Sequence, residues 1–387
     1  MNGVGGLRLI AAVAAAAAIA AAVTVSLVVT DRPAGSGPVR SAGRTADPCA
    51  TASATHGTTP SATLPALEAS APAALAGVPP LFVVITQRSG SPPPYAVVRA
   101  TATGDELATI AAPRPYGTFG LVTAAANDRT FVLAAQPWPT YQGRGPTRFF
   151  LLCLNAAGQP TEPLKPLPMP PMPASDIVYR MALSPDASRL AVAVATEGKS
   201  LNTPGKSQIV VFTLATGSAR AWSLPTTGDV GSALSWTANG QTLAFQFSYR
   251  NGLFTQLRLL RPGAPGGRQN SSGETVKWTA DGFSQDALIV PDGTKIVCVT
   301  GNPPYAVVTY YSVRTGKRAG FQRVNNAAIY AGFPSPVTAV AGVDWSSTTG
   351  STLLVSTLQG EAVLTAGHLT PIPFPNDGPL VPLATAW

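Results

Sequence analysis

Residues 177–195 read IVYRMALSPDASRLAVAVA, and residues 208–224 read QIVVFTLATGSARAWSL. Both segments are apolar runs of strand length broken by turn residues. In Ser184-Pro185-Asp186-Ala187, proline presets φ and the aspartate can bond its own backbone two residues on. In Ala215-Thr216-Gly217, glycine takes the positive φ that closes a tight hairpin. The stretch therefore predicts four antiparallel strands. Tight turns join the first strand to the second and the third to the fourth, and a longer loop joins the second to the third.

The same unit recurs about every 50 residues on both sides, as repeat architectures do. Downstream, GSALSWTANGQTLAFQF (231–247) turns at Asn239-Gly240. QDALIVPDGTKIVCV (285–299) and AVVTYYSVRTGKRAGFQ (306–322) turn at Pro291-Asp292-Gly293 and Thr315-Gly316. VAGVDWSSTTGSTLLVS (340–356) and EAVLTAG (361–367) form a later copy. FGLVTAAANDRTFVLAA (119–135) and RFFLLCLNAAG (148–158) form an earlier one. At the start of the array, LFVVITQ (81–87) and YAVVRATATGDELATI (95–110) supply only a second, third and fourth strand. The chain closes on LVPLATAW (380–387), which matches the first strand of other copies. Leu380–Trp387 is therefore expected to pair with Leu81–Gln87, removing an exposed edge. The expected fold is all-β: a six-bladed β-propeller of four-stranded blades closed by its terminal strands, with seven blades as the lesser alternative.

These repeats resemble the WD40-like repeats of the TolB-type propellers, in which an LSPDG-type turn joins strands one and two and a D-x-x-T-G-type turn joins strands three and four. The resemblance covers nearly all of residues 81–387 and implies a bacterial, membrane-anchored propeller. It speaks for architecture and is nearly silent on activity. The sequence departs from the pattern where the turn aspartate is missing, and in the loose stretch Arg261–Gly273.

Residues 9–30, LIAAVAAAAAIAAAVTVSLVVT, carry no charge and span roughly 33 Å as a helix, enough for a bilayer core. The run is longer than the apolar region of a cleaved signal peptide, and no good Ala-x-Ala site follows it. It reads as a transmembrane anchor after a short tail, 1–8. Residues 31–80 are rich in Ala, Ser, Thr and Pro and read as a disordered linker holding His56. The domain then occupies 81–387. Arg8 precedes the anchor while Arg32, Arg40 and Arg44 follow it, so the Lys/Arg count alone would put the domain in the cytoplasm. The stalk-like linker argues for the outside, giving a single-pass cell-membrane protein with an extracytoplasmic propeller.

Of the three cysteines, Cys153 in FFLLCLN and Cys298 in KIVCVT read as small apolar strand residues. A Cys153–Cys298 bridge is the alternative, and an odd, sparse set is no disulfide framework. The net charge of +8 includes no Lys/Arg run, which argues against a nucleic-acid partner.

Chemistry is sparse. Two histidines, His56 and His368 (the latter in the expected turn TAGHLT), have no ligand-spaced partners, so neither a metal site nor a cofactor is expected. No Gly-x-Ser-x-Gly elbow, phosphate loop, Cys-x-x-Cys pair or calcium loop is present. No catalytic residue is assigned. Asp286 and Asp344 lie in expected first strands and are the acids to test for a channel site. The loops between second and third strands vary most and carry Trp138, Tyr141, Arg144, Tyr249, Arg250 and Tyr305. Aromatics with arginine dominate recognition surfaces. The expected function is a non-catalytic module that binds a protein, peptide or glycan. A propeller lyase or glycosidase and a structural component of the cell envelope are the alternatives.

Overall fold

The computed structural model describes Pro48–Cys49 and residues 78–386, apart from 89–92, 138–145, 197–205, 225–227, 250–254, 264–266, 269–272, 277–285, 291, 303–304, 326–339, 346–351, 358–359, 366–367 and 374–379. The expected anchor 9–30 and nearly all of the linker lie outside the described residues. Among those described, no helix is long and apolar enough to cross a membrane.

Within this range the chain is all-β, and its strands form six sheets. Sheet one holds β1 (Leu81–Arg88), β2 (Tyr95–Ala100) and β3 (Glu106–Ile110). Sheet two is β4 (Thr118–Ala124), β5 (Thr130–Gln136), β6 (Arg148–Cys153) and β7 (Lys165–Pro166). Sheet three is β8 (Asp176–Leu183), β9 (Arg189–Thr196), β10 (Ser207–Thr213) and β11 (Ala219–Ser223). Sheet four contains β12 (Gly228–Trp236), β13 (Leu243–Tyr249), β14 (Thr255–Leu260) and β16 (Gly273–Val276). Between its last two strands, β15 (Gly267–Arg268) leaves to pair in parallel with β11 as a fifth strand of sheet three. Within the loose stretch 261–273, Gly267–Arg268 thus edge the preceding sheet. Sheet five is β17 (Asp286–Ile289), β18 (Lys295–Asn302), β19 (Tyr305–Ser312) and β20 (Arg318–Asn325). Sheet six is β21 (Val340–Trp345), β22 (Thr352–Thr357), β23 (Gly360–Thr365) and β24 (His368–Pro371).

The last strand, β25 (Leu380–Ala386), returns to sheet one and pairs antiparallel with β1, Val83 opposite Ala386 and Arg88 opposite Leu380. The two ends of the domain meet as expected. The first strands are also neighbours: β25 lies beside β4, β4 beside β8, β8 beside β12, β12 beside β17, β17 beside β21, and β21 beside β25.

The turns repeat atom for atom. At the junction of first and second strands, Ala125, Ser184, Thr237 and Val290 each donate their N–H to the residue five positions on. The Oδ1 of Asn127, Asp186, Asn239 and Asp292 accepts the N–H two residues on. The residue after that side chain takes positive φ: Gly240 and Gly293, but also Asp128 (φ 55°) and Ala187 (φ 54°). At the third-to-fourth junction, Gly104 and Gly217 turn with φ of 73° and 69°. A Cβ on either would sit 1.4 Å from the Pro373 carbonyl oxygen or 2.1 Å from that of Pro168. The outer end of one sheet lies against the turn of the next, so these positions need glycine twice over.

Cores form between successive sheets. Phe149 of sheet two and Phe212 of sheet three meet in one, with ring centroids 6.4 Å apart. Side chains also cross between first strands. Thr123 Oγ1 accepts the Leu183 N–H, Ser235 Oγ accepts that of Ile289, and Trp236 Nε1 donates to the Ala182 carbonyl. In sheet one, the place of Phe212 is taken by Arg99, wholly buried, each lying five positions before a turn glycine. Arg99 Nη1 donates to the Gly104 carbonyl at 2.7 Å, and Nη2 lies 4.0 Å from Glu106.

The cysteine reading is corrected. Cys153, the last residue of β6, is bonded to Cys49, 104 residues earlier. Cys298 is buried in sheet five and takes no part in the bridge. Pairing was settled by what folds near Cys153, and a residue from the expected linker packs there, against the core between sheets two and three.

Candidate binding face

Each sheet has two ends. The turn end carries the first-to-second and third-to-fourth junctions, and at the former the side chains of Asn127, Asp186, Asn239 and Asp292 are spent on the turns themselves. Burial raises the Asp186 carboxyl, but hydrogen bonds from the Ser184 and Ser188 hydroxyls and the Ser188 N–H outweigh it, and its pKa falls below the ordinary value. The backbone N–H of Thr294 and then its hydroxyl hold Asp292 low in the same way. Arg189 Nη2 donates to the Gly240 carbonyl of the next sheet, and its guanidinium lies 4.9 Å from the Trp236 ring centroid. Asp128 is the exception: burial pushes its carboxyl up to about 6 against the pull of Arg129.

The opposite end carries the links between second and third strands. Trp138, Tyr141, Arg144 and Arg250 fall in these links and lie outside the described residues. Tyr249 is the last residue of β13, opposite Gly228. Tyr305 is the first residue of β19, opposite Asn302 and Asn325, so it belongs to a strand and not to a loop. These two tyrosines therefore sit at the same end of neighbouring sheets.

The two channel acids do fall in first strands, β17 and β21, which are neighbours. Their levels differ. Asp344 precedes Trp345, which pairs with Leu353 as Trp236 pairs with Leu243. Asp344 therefore occupies the register position of Ser235 and Thr123, the two hydroxyl residues that accept a backbone N–H from the following sheet. Asp286 lies two positions further from the turn, roughly 7 Å along the strand. His368, expected in a turn, instead opens β24 opposite Thr365. Among the described residues, no three His, Cys, Asp or Glu cluster as metal ligands would.

A feature without a sequence signal is the bulge in the first strands. The register slips at Gly120, Tyr179, Ala341 and Leu383, one extra residue at the same level of the first strand in each of four sheets. Tyr179 is 44% exposed there. Bulges sharpen the local twist and bend the strand.

Among solved structures, TolB from Acinetobacter baumannii matches 81% of this chain and 69% of its own, with a TM-score of 0.51 at 14% identity. The fold is a TolB-like β-propeller. In a propeller a four-stranded sheet is a blade. A putative TolB from Agrobacterium tumefaciens matches 78% of this chain and 95% of its own (12% identity, TM-score 0.41). The β-propeller domain of Cps50 (Swd1) from Myceliophteria thermophila matches 73% and 80% (13% identity, TM-score 0.37). No family model matches the sequence, and no curated protein matches it.

The Cys49–Cys153 bridge was missed by the sequence reading. Its one available signal was the third cysteine itself. An isolated Cys49 in a polar linker has no packing reason to be there, whereas Cys153 and Cys298 both have one.

Proposed function

We propose that the chain is a six-bladed propeller, tethered to a membrane by residues 9–30 and acting outside the cytoplasm as a non-catalytic module that binds a protein, peptide or glycan at its loop end. The division of labour between the two ends carries the reading. At the turn end Asn127, Asp186, Asn239 and Asp292 are engaged in turn geometry and Arg189 in a contact between blades. The segments between second and third strands carry in sequence Trp138, Tyr141, Arg144, Tyr249, Arg250 and Tyr305, aromatic and arginine residues of the kind that anchor interfaces. The cycle of neighbouring first strands supports six blades. The disulfide supports an oxidising compartment, since such bridges are rare where thiols are kept reduced.

Both points at which the N-terminal segment meets the domain, Cys49 at the end of β6 and Leu81 at the start of β1, lie at the turn end. A tether arriving there leaves the loop end free for a ligand. The test is capture of partners from an envelope extract by the full chain and by Trp138→Ala/Tyr141→Ala. Loss of specific partners in the variant supports the reading, and an unchanged set overturns it. Turnover abolished by Asp286→Asn or Asp344→Asn would instead favour an enzyme.

A further inference from the structure

The outermost strands of five blades are short: β3 has five residues, β7 two, β11 five, β16 four and β24 four. Strand β20, in blade five, has eight. It pairs with β19 on its inner side alone among the described residues. A long outer edge presents unpaired backbone donors and acceptors that an incoming strand can satisfy. This fold already uses such an edge once, where β15 adds to β11 as a fifth strand.

The charged residues of this blade from Lys295 onward have one sign. No Asp or Glu occurs between Asp292 and Asp344, whereas Lys295, Arg314, Lys317, Arg318 and Arg323 do. Arg314, Lys317 and Arg318 are exposed. Phe321 is 51% exposed, and the Arg318 guanidinium lies 4.1 Å from its ring centroid. Charge alone would be a device against edge-to-edge pairing. An exposed phenylalanine with an arginine stacked on it does not serve that purpose. It offers an apolar and cationic anchor beside a backbone edge that no described strand pairs with, broken by one bulge at Ala319.

We propose that the outer edge of β20 is a docking site for an acidic extended peptide segment of a partner protein, which adds a fifth strand to blade five. Backbone hydrogen bonds to β20 hold the segment, its carboxylates meet Arg318 and Lys317, and an apolar side chain covers Phe321. Its anchors, Lys317, Arg318 and Phe321, lie towards the turn end of β20, whose far end at Asn325 is opposite Tyr305, so substitutions at these anchors test it apart from the loop end.

The probe is a fluorescein-labelled peptide of alternating glutamate and valine, about eight residues long to match the edge. Its binding to the full chain in detergent is followed by fluorescence anisotropy. Saturable binding is expected, weakening as salt is raised and weakened on the order of tenfold by Phe321→Ala or Arg318→Ala. Circular dichroism of both variants should match the parent. A lysine–valine peptide and an N-methylated glutamate–valine peptide should not bind. The proposal is overturned if the acidic peptide fails to bind, or if the N-methylated peptide binds equally well. Equal binding of a flexible polyanion also overturns it, since that would mark a general anion surface.

Discussion

The indole Nε1 of Trp236 donates to the Ala182 carbonyl at 2.9 Å, tying the first strand of blade four to that of blade three. Trp236→Phe keeps the apolar body and removes the donor, leaving a buried carbonyl with one partner fewer. A loss of about 1–2 kcal/mol is expected, read as a lower urea midpoint at unchanged slope.

The bridge between Cys49 and Cys153 closes a loop of 104 residues. Constraint of so long a loop in the unfolded chain corresponds to about 2–5 kcal/mol. Cys49→Ser should melt well below the parent in oxidising buffer. The gap should close when the parent is melted in reductant, because both then lack the constraint. An equal gap under both conditions would assign the effect to packing at Cys49.

Asp128 gives a pH signature. Its folded pKa is about 6 against 3.8 for the ordinary side chain, so the folded protein binds the proton more tightly than the unfolded one. The stability this contributes is fully present below 3.8 and is lost as pH rises through about 6. Asp128→Asn, which tolerates φ of 55°, should therefore melt above the parent at pH 7.5. The advantage should shrink steadily as the pH is lowered from 7 towards 4. Asp186 and Asp292 run the other way and lose their contribution on acidification, but they are common to both proteins and cancel in the difference.

Two glycines with opposite surroundings make a controlled pair. Gly104→Ala places a methyl on the Pro373 carbonyl in a left-handed backbone and is expected to cost about 2–4 kcal/mol, from strain and overpacking together. Gly263 has open space where its Cβ would go, and Gly263→Ala should shift the denaturant midpoint little. Chemical denaturation of the two variants beside the parent checks both.

What could be read from the chain in advance was what local chemistry decides. Pro185-Asp186, Asn239-Gly240 and Thr315-Gly316 announce their turns because the bonds they make span only a few residues. Apolar alternation then marks the strands between them, and the unmatched first strand at 380–387 indicates its partner at 81–87. Features that depend on distant neighbours were not legible. The Cys49–Cys153 pair joins residues that only folding brings together. The detour of β15 depends on a vacant edge in the preceding blade. Ala187 and Asp128 adopt positive φ because the turn they share with Gly240 and Gly293 demands it, against the preference of either residue. The candidate face was legible only as composition: Tyr249 and Tyr305 are brought to one end by strand register, whereas the level difference between Asp286 and Asp344 could not be counted without knowing where each strand meets its turn.

The clasp between β1 and β25 also means that the point where this chain is cut is interchangeable. Ala386 faces Val83 as Leu288 faces Val297, and in blade five a five-residue turn, Val290–Thr294, carries the backbone across the equivalent gap. A circularly permuted chain could join Trp387 to Leu81 through a copy of that turn and open instead at 303–304, between β18 and β19. Every ladder would be kept, and the ring would be held at that blade by covalent connection where it is now held by hydrogen bonds.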